Sequence, residues 1–93
     1  MSKAELEDLS WVIRGKQRRT IIQHIKVKEA ATPTHIAKTS NYSLNATSRI
    51  LSEFRERGLA KCLNPKSKTG RLYVLTPRGK IIRDKLLKLK RSS

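Results

Sequence analysis

Apolar residues fall at helical spacing in five stretches of this chain and cluster in two short β-compatible runs past its middle. Leu6, Leu9, Val12 and Ile13 lie behind an acidic first turn, which suits a positive helix N-terminus and predicts an N-terminal helical segment. After Gly15, the run KQRRTIIQHIKV sets Ile21, Ile22 and Ile25 on one stripe with Lys16, Arg18, Arg19 and Lys26 around it. Ile36 and Ala37 supply the inward face of a short helix from Pro33 to about Thr39, and Thr47, Ile50, Leu51 and Phe54 form the buried stripe of the next. Leu59 to Leu63 and Leu72 to Leu75 are β-compatible runs around NPKSKTGR, a connection too long for a two-residue turn. Ile81, Ile82, Leu86 and Leu89 mark a last helix over GKIIRDKLLKLKR.

Punctuation residues fix the boundaries. Thr32 before Pro33 is a helix start, because the hydroxyl caps free amides while proline at the first position has no N–H to leave unpaired. Thr76 and Pro77 repeat that signal. SNYS breaks the short helix, with Asn41 suited to a left-handed turn, Ser43 caps the following helix, and Gly58 stops it.

Three helices, a hairpin and a further helix, with two short helices joined by a sharp turn in the middle, predict a winged helix-turn-helix in an α+β, mostly α, chain. The expected organisation is an N-terminal helical extension over 1–14, the winged helix-turn-helix over 15–80, and a C-terminal helix with a short tail over 81–93. The apolar stripe of that last helix either closes the core or joins residues 6–13 in a homodimer contact through 81–89, and the sequence leaves both readings open. A dimer would set two reading helices about 34 Å apart, one turn of DNA.

Such a fold offers one short helix to the major groove and a hairpin to the flanking backbone, so the expected partner is double-stranded DNA. The outward face of the second motif helix carries short polar side chains and one arginine, and Asn45, Ser48, Arg49 and Ser52 form the expected base-reading set. Arginine pairs with guanine O6 and N7 together, and asparagine does the same with adenine N6 and N7. Ser40, Asn41 and Ser43 at the turn, and Lys66, Lys68 and Arg71 at the hairpin tip, are the expected DNA-backbone contacts. The plain alternatives are a solvated helix face and edge lysines that deter aggregation.

Charge strengthens the nucleic-acid reading. Lys and Arg total 22 against 7 Asp and Glu, a net +15 that calls for a polyanionic partner. It is unevenly spread: Glu5, Glu7 and Asp8 crowd the start, while Asp84 is the one acid from Ala60 onward. No run reaches the ~18 apolar residues of a membrane span, and the acidic start is unlike a secretory signal, so a cytoplasmic, nucleoid-associated protein without membrane contact is expected. The lone Cys62 excludes an internal disulfide and reads better as a small core residue than as a redox sensor. His24 and His35 make no metal-ligand set with it, and no nucleophile-base pair, carboxylate dyad or phosphate-cradling glycine loop is present. No enzyme, cofactor, metal or small-molecule effector is expected.

The stretch PTHIAKTSNYSLNATSRILSEFRERGLAKCLNP followed by GRLYVLTPRGK resembles the small winged-helix transcriptional regulators common in archaea, related to the MarR and ArsR groups. The resemblance covers about Arg14 to Lys80, with EFRERGLAKCLNP and RLYVLTPRG its most specific phrases. It implies duplex DNA binding in transcriptional control, often as a dimer, with the reading helix over Leu44 to Arg57 and the wing over Asn64 to Arg71. The cysteine pairs of metal-sensing ArsR proteins and the long flanking helices of a MarR ligand pocket are missing, so DNA binding carries over and effector sensing does not. Two other classes stay open: an architectural, chromatin-type protein that coats DNA, and a winged-helix protein-protein module of a transcription complex.

Overall fold

A computed structural model describes residues 2–92. Helix α1 spans Lys3–Ile13, with Ser2 Oγ accepting from the Glu5 amide at 3.2 Å. Its last turn has no basic residue of its own to meet the free carbonyls. The next helix supplies them: Arg18 Nη1 donates to the Trp11 carbonyl at 2.9 Å, and Arg19 to that of Ile13.

Helix α2 runs over Lys16–Ile22 and ends short of the expected Val27. Gln23 and His24 close it with tighter i→i−3 bonds, and the chain beyond turns to the hairpin. There the Leu75 amide donates to the Lys26 carbonyl at 2.8 Å, and Ala31 exchanges both backbone bonds with Tyr73. An open sheet edge thus competes with the helix for these backbone groups, and β-branched Ile25 and Val27 suit the extended path. Ile25 stays buried all the same.

Helix α3 (Pro33–Ser40) is capped by Thr32, whose Oγ1 accepts from the His35 amide at 3.2 Å. Asn41 follows at φ 63°, the left-handed conformation expected of it. Ser43 caps helix α4 (Leu44–Glu56) through the Ala46 amide, and Gly58, at φ 74°, ends it with the Leu59 amide returning to the Phe54 carbonyl. Strands β1 (Ala60–Cys62) and β2 (Tyr73–Leu75) pair antiparallel, Ala60 opposite Leu75 and Cys62 opposite Tyr73. Helix α5 (Pro77–Ser92) starts at Thr76, whose Oγ1 accepts from the Gly79 amide and donates to the Gly58 carbonyl at 2.6 Å. A Cβ at Gly79 would sit 2.0 Å from the Leu59 carbonyl oxygen, so glycine lets α5 press onto the entry to β1.

One core unites these elements: Leu9 and Val12 of α1, Ile21, Ile22, Ile36, Leu51, Phe54 and Leu75, and Ile82 and Leu86 of α5 share a single cluster. Both flanking apolar stripes therefore divide. Leu9, Val12, Ile82 and Leu86 face inward, while Leu6, Ile81 and Leu89 are exposed. Thr47 is also fully buried, and among the described residues its Oγ1 is a buried side-chain oxygen with no hydrogen-bond partner. Thr47→Val keeps the shape and removes the unpaired hydroxyl, so it is expected to raise unfolding free energy by about 1–2 kcal/mol at unchanged m-value. Urea denaturation checks this, and an unchanged or lower midpoint would refute it.

Asp8, read from sequence only as part of an acidic first turn, is buried. Its Oδ1 accepts from Arg57 Nη1 at 3.1 Å and its Oδ2 from Arg78 Nε at 2.9 Å, joining α1 to the end of α4 and the start of α5. Trp11 lies one helical turn on. The guanidinium carbons of Arg18 and Arg57 each stand 4.1 Å from its ring centroid, and the Phe54 ring meets it edge-on at 5.7 Å.

Candidate nucleic-acid interface

Helix α4 is strongly two-sided. Thr47, Ile50, Leu51 and Phe54 are buried, while Asn45, Arg49 and Ser52 are exposed and Ser48 is half-buried. Ser48 and Ser52 line an open groove of about 550 Å³ whose other walls are the start of α3 (Pro33, Thr34) and the hairpin tip (Lys68, Arg71). The expected reading face and the expected backbone contacts of the wing therefore border one concave surface. Arg49 leaves α4 on another side, where it lines a cleft with Arg14, Lys16 and Arg18. Asn45 is exposed on the first turn of α4, ahead of these three in sequence.

The hairpin loop is held by Asn64, a residue that sequence reasoning did not single out. Its Oδ1 accepts from the Leu72 amide at 2.7 Å, its Nδ2 donates to the Gly70 carbonyl at 3.2 Å, and its own carbonyl accepts from the Ser67 amide. Arg71 Nε donates to the Ser67 carbonyl at 2.9 Å, which steadies the arginine over the loop. Lys66 and Lys68 are exposed at the tip. Asn64→Ala removes both side-chain clamps, so the loop must be ordered on binding and affinity for any duplex is expected to fall about 3- to 10-fold, with the thermal midpoint little changed. Equal affinity of the variant in a filter-binding titration would show that the loop takes no part.

The turn residues divide. Asn41 and Ser43 are exposed, and the Ser43 hydroxyl, which accepts the cap bond, still has its own proton to donate. Ser40 does not belong with them. It is buried, and its hydroxyl donates back to the Ile36 carbonyl at 2.7 Å, so it serves α3 and not a phosphate. Tyr42 packs against the core. Cys62 is buried in β1 with its Sγ 3.7 Å from Asn64 Oδ1. Among the described residues no three His, Cys, Asp or Glu side chains gather as a metal site, and no helix is long and apolar enough to cross a membrane.

Solved structures that share this arrangement include several named as transcription regulators. A MarR-family transcription regulator matches at 25% identity and a TM-score of 0.75, over 87% of this chain and 56% of that one. The fold is that of the MarR-type winged helices. A mutant MarR from E. coli complexed with operator DNA matches at 26% identity and 0.70, over 94% of this chain and 63% of that one. The homodimeric winged helix-turn-helix domain of a possible ArsR-family regulator from Mycobacterium bovis shares the fold at 14% identity and 0.66, over 95% of this chain and 77% of that one. The chain thus spans well under two thirds of the first MarR-type neighbour. No protein-family model and no curated protein matches it. The MarR-type neighbours are transcription regulators.

Proposed function

We propose that this protein is a sequence-specific, double-stranded DNA-binding transcriptional regulator that lays α4 in the major groove and its basic hairpin on the flanking backbone or minor groove. The observation that carries the reading is the concave surface shared by the polar face of α4 and the cationic hairpin tip, in a chain of net charge +15. A neighbour of the same fold solved on operator DNA supports it. In this reading Asn45, Ser48, Arg49 and Ser52 meet base edges, while Asn41, Ser43, Lys66, Lys68 and Arg71 meet phosphates. The protein acts as a homodimer in which a second copy covers the exposed Leu6, Ile81 and Leu89 of α1 and α5.

The test is a titration of a duplex selected from a random pool against a scrambled duplex at two salt concentrations. A site-specific regulator binds the selected duplex ~10³-fold or more tightly at physiological salt. Equal and steeply salt-dependent binding would favour the second reading, a DNA-coating protein, which the high positive charge also supports. Absence of binding at low salt would point to a protein partner instead.

A further inference from the structure

A helix lying in the major groove has a phosphate backbone on each side, since the groove is about 12 Å across. The hairpin occupies one side of α4, where Ser48 and Ser52 line the shared groove. On another side α4 presents Arg49 and Glu53 to the corner between α1 and α2, where Arg14, Lys16 and Arg18 complete an open cleft of about 400 Å³. We propose that this corner is a second phosphate-backbone site for duplex DNA, gripping the strand that the hairpin does not reach. The proposal rests on the DNA-binding reading given above.

Charge and construction support it together. Four cations line the cleft against the single acid Glu53. The ion pairs of the described residues involve neither Arg14, Lys16 nor Arg49, so these charges are not already neutralised within the fold. Both Arg14 and Lys16 are exposed. Arg14 Nε donates to the Ser10 carbonyl at 3.3 Å, which steadies the side chain while its terminal nitrogens remain as donors.

The corner beneath is stiff. The Gly15 amide donates to the Val12 carbonyl, and Arg18 is fixed by the Trp11 carbonyl and ring. A Cβ at Gly15 would stand 2.7 Å from the Arg18 side chain, so glycine lets that arginine lie close over the corner. The backbone that carries these cations is already ordered, so binding has only their side chains to fix.

The experiment compares wild type, the double variant Arg14→Ala/Lys16→Ala and Lys68→Ala on the selected duplex, by anisotropy between 50 and 200 mM salt and by hydroxyl-radical footprinting. The double variant is expected to lose affinity for selected and scrambled duplexes by the same factor. The slope of log K against log salt should fall by about 0.9 per charge removed, at an unchanged thermal midpoint. Its lost footprint should lie on the flank opposite the one lost in Lys68→Ala. An unchanged slope, or loss of the same phosphates as in Lys68→Ala, overturns the proposal while leaving the DNA-binding reading intact. Failure of wild type to bind any duplex overturns both.

Discussion

Arg49→Ala is expected to weaken binding to the selected duplex by about 5- to 150-fold, the 1–3 kcal/mol of a bidentate base contact, and to leave binding to a scrambled duplex nearly unchanged. The asymmetry follows from where the residue stands. Arg49 is exposed on α4 while Ile50 and Leu51 beside it turn into the core, so shortening it to a good helix former leaves the packing alone. Arg49→Lys sharpens the test, because a lysine keeps the charge but lacks the planar fork that matches guanine. If the loss comes from base reading, lysine restores little of it. Equal losses on both duplexes, with lysine restoring them, would make Arg49 a phosphate contact of the α1–α2 cleft and leave reading to Asn45, Ser48 and Ser52.

The second large effect is on stability. Asp8→Ala is expected to cost about 2–3 kcal/mol, a drop of roughly 10–20 °C in thermal midpoint for a domain of this size. The carboxylate side chain is 7% exposed and holds two arginines, so its removal leaves two like charges facing a gap. Those arginine side chains are 37% and 42% exposed, and water relieves part of the penalty, which keeps the figure below that of a fully buried pair. Asp84→Ala is the control. Its carboxylate is half exposed beside Arg83, and its loss should be close to neutral. A midpoint for Asp8→Ala within a degree or two of wild type would mean that the two arginines find water as good a partner as Asp8.

These effects also separate what local sequence reveals from what it hides. Thr32, Ser43 and Gly58 take the capping and stopping roles their residue types announce, because each contact reaches only a few residues along the chain. The inward stripe of α4 is legible for the same reason: periodicity is a local property. Asp8 is not, since its partners lie 49 and 70 residues away and nothing in MSKAELEDL points to them. The early end of α2 depends on the edge of β2, some fifty residues on, and a stripe through Ile25 gives no warning of it.

Within the candidate site, residue type and helix phase predict the exposed face of α4, but a run of polar turn residues does not say which hydroxyl turns inward, and Ser40 is the one that does. The clamp made by Asn64 and the cleft at Arg14 and Lys16 are not legible in the sequence, because a loop clamp and a cationic cleft exist only once the chain has folded back on itself.

The stacked arrangement around Trp11 has a practical consequence. This is the only tryptophan in the chain, and it is enclosed by guanidinium groups from α2 and from the end of α4, with Phe54 at its edge. Its emission therefore registers a shift of α1 against α2 and α4, so the protein carries its own optical gauge of that junction and needs no attached dye.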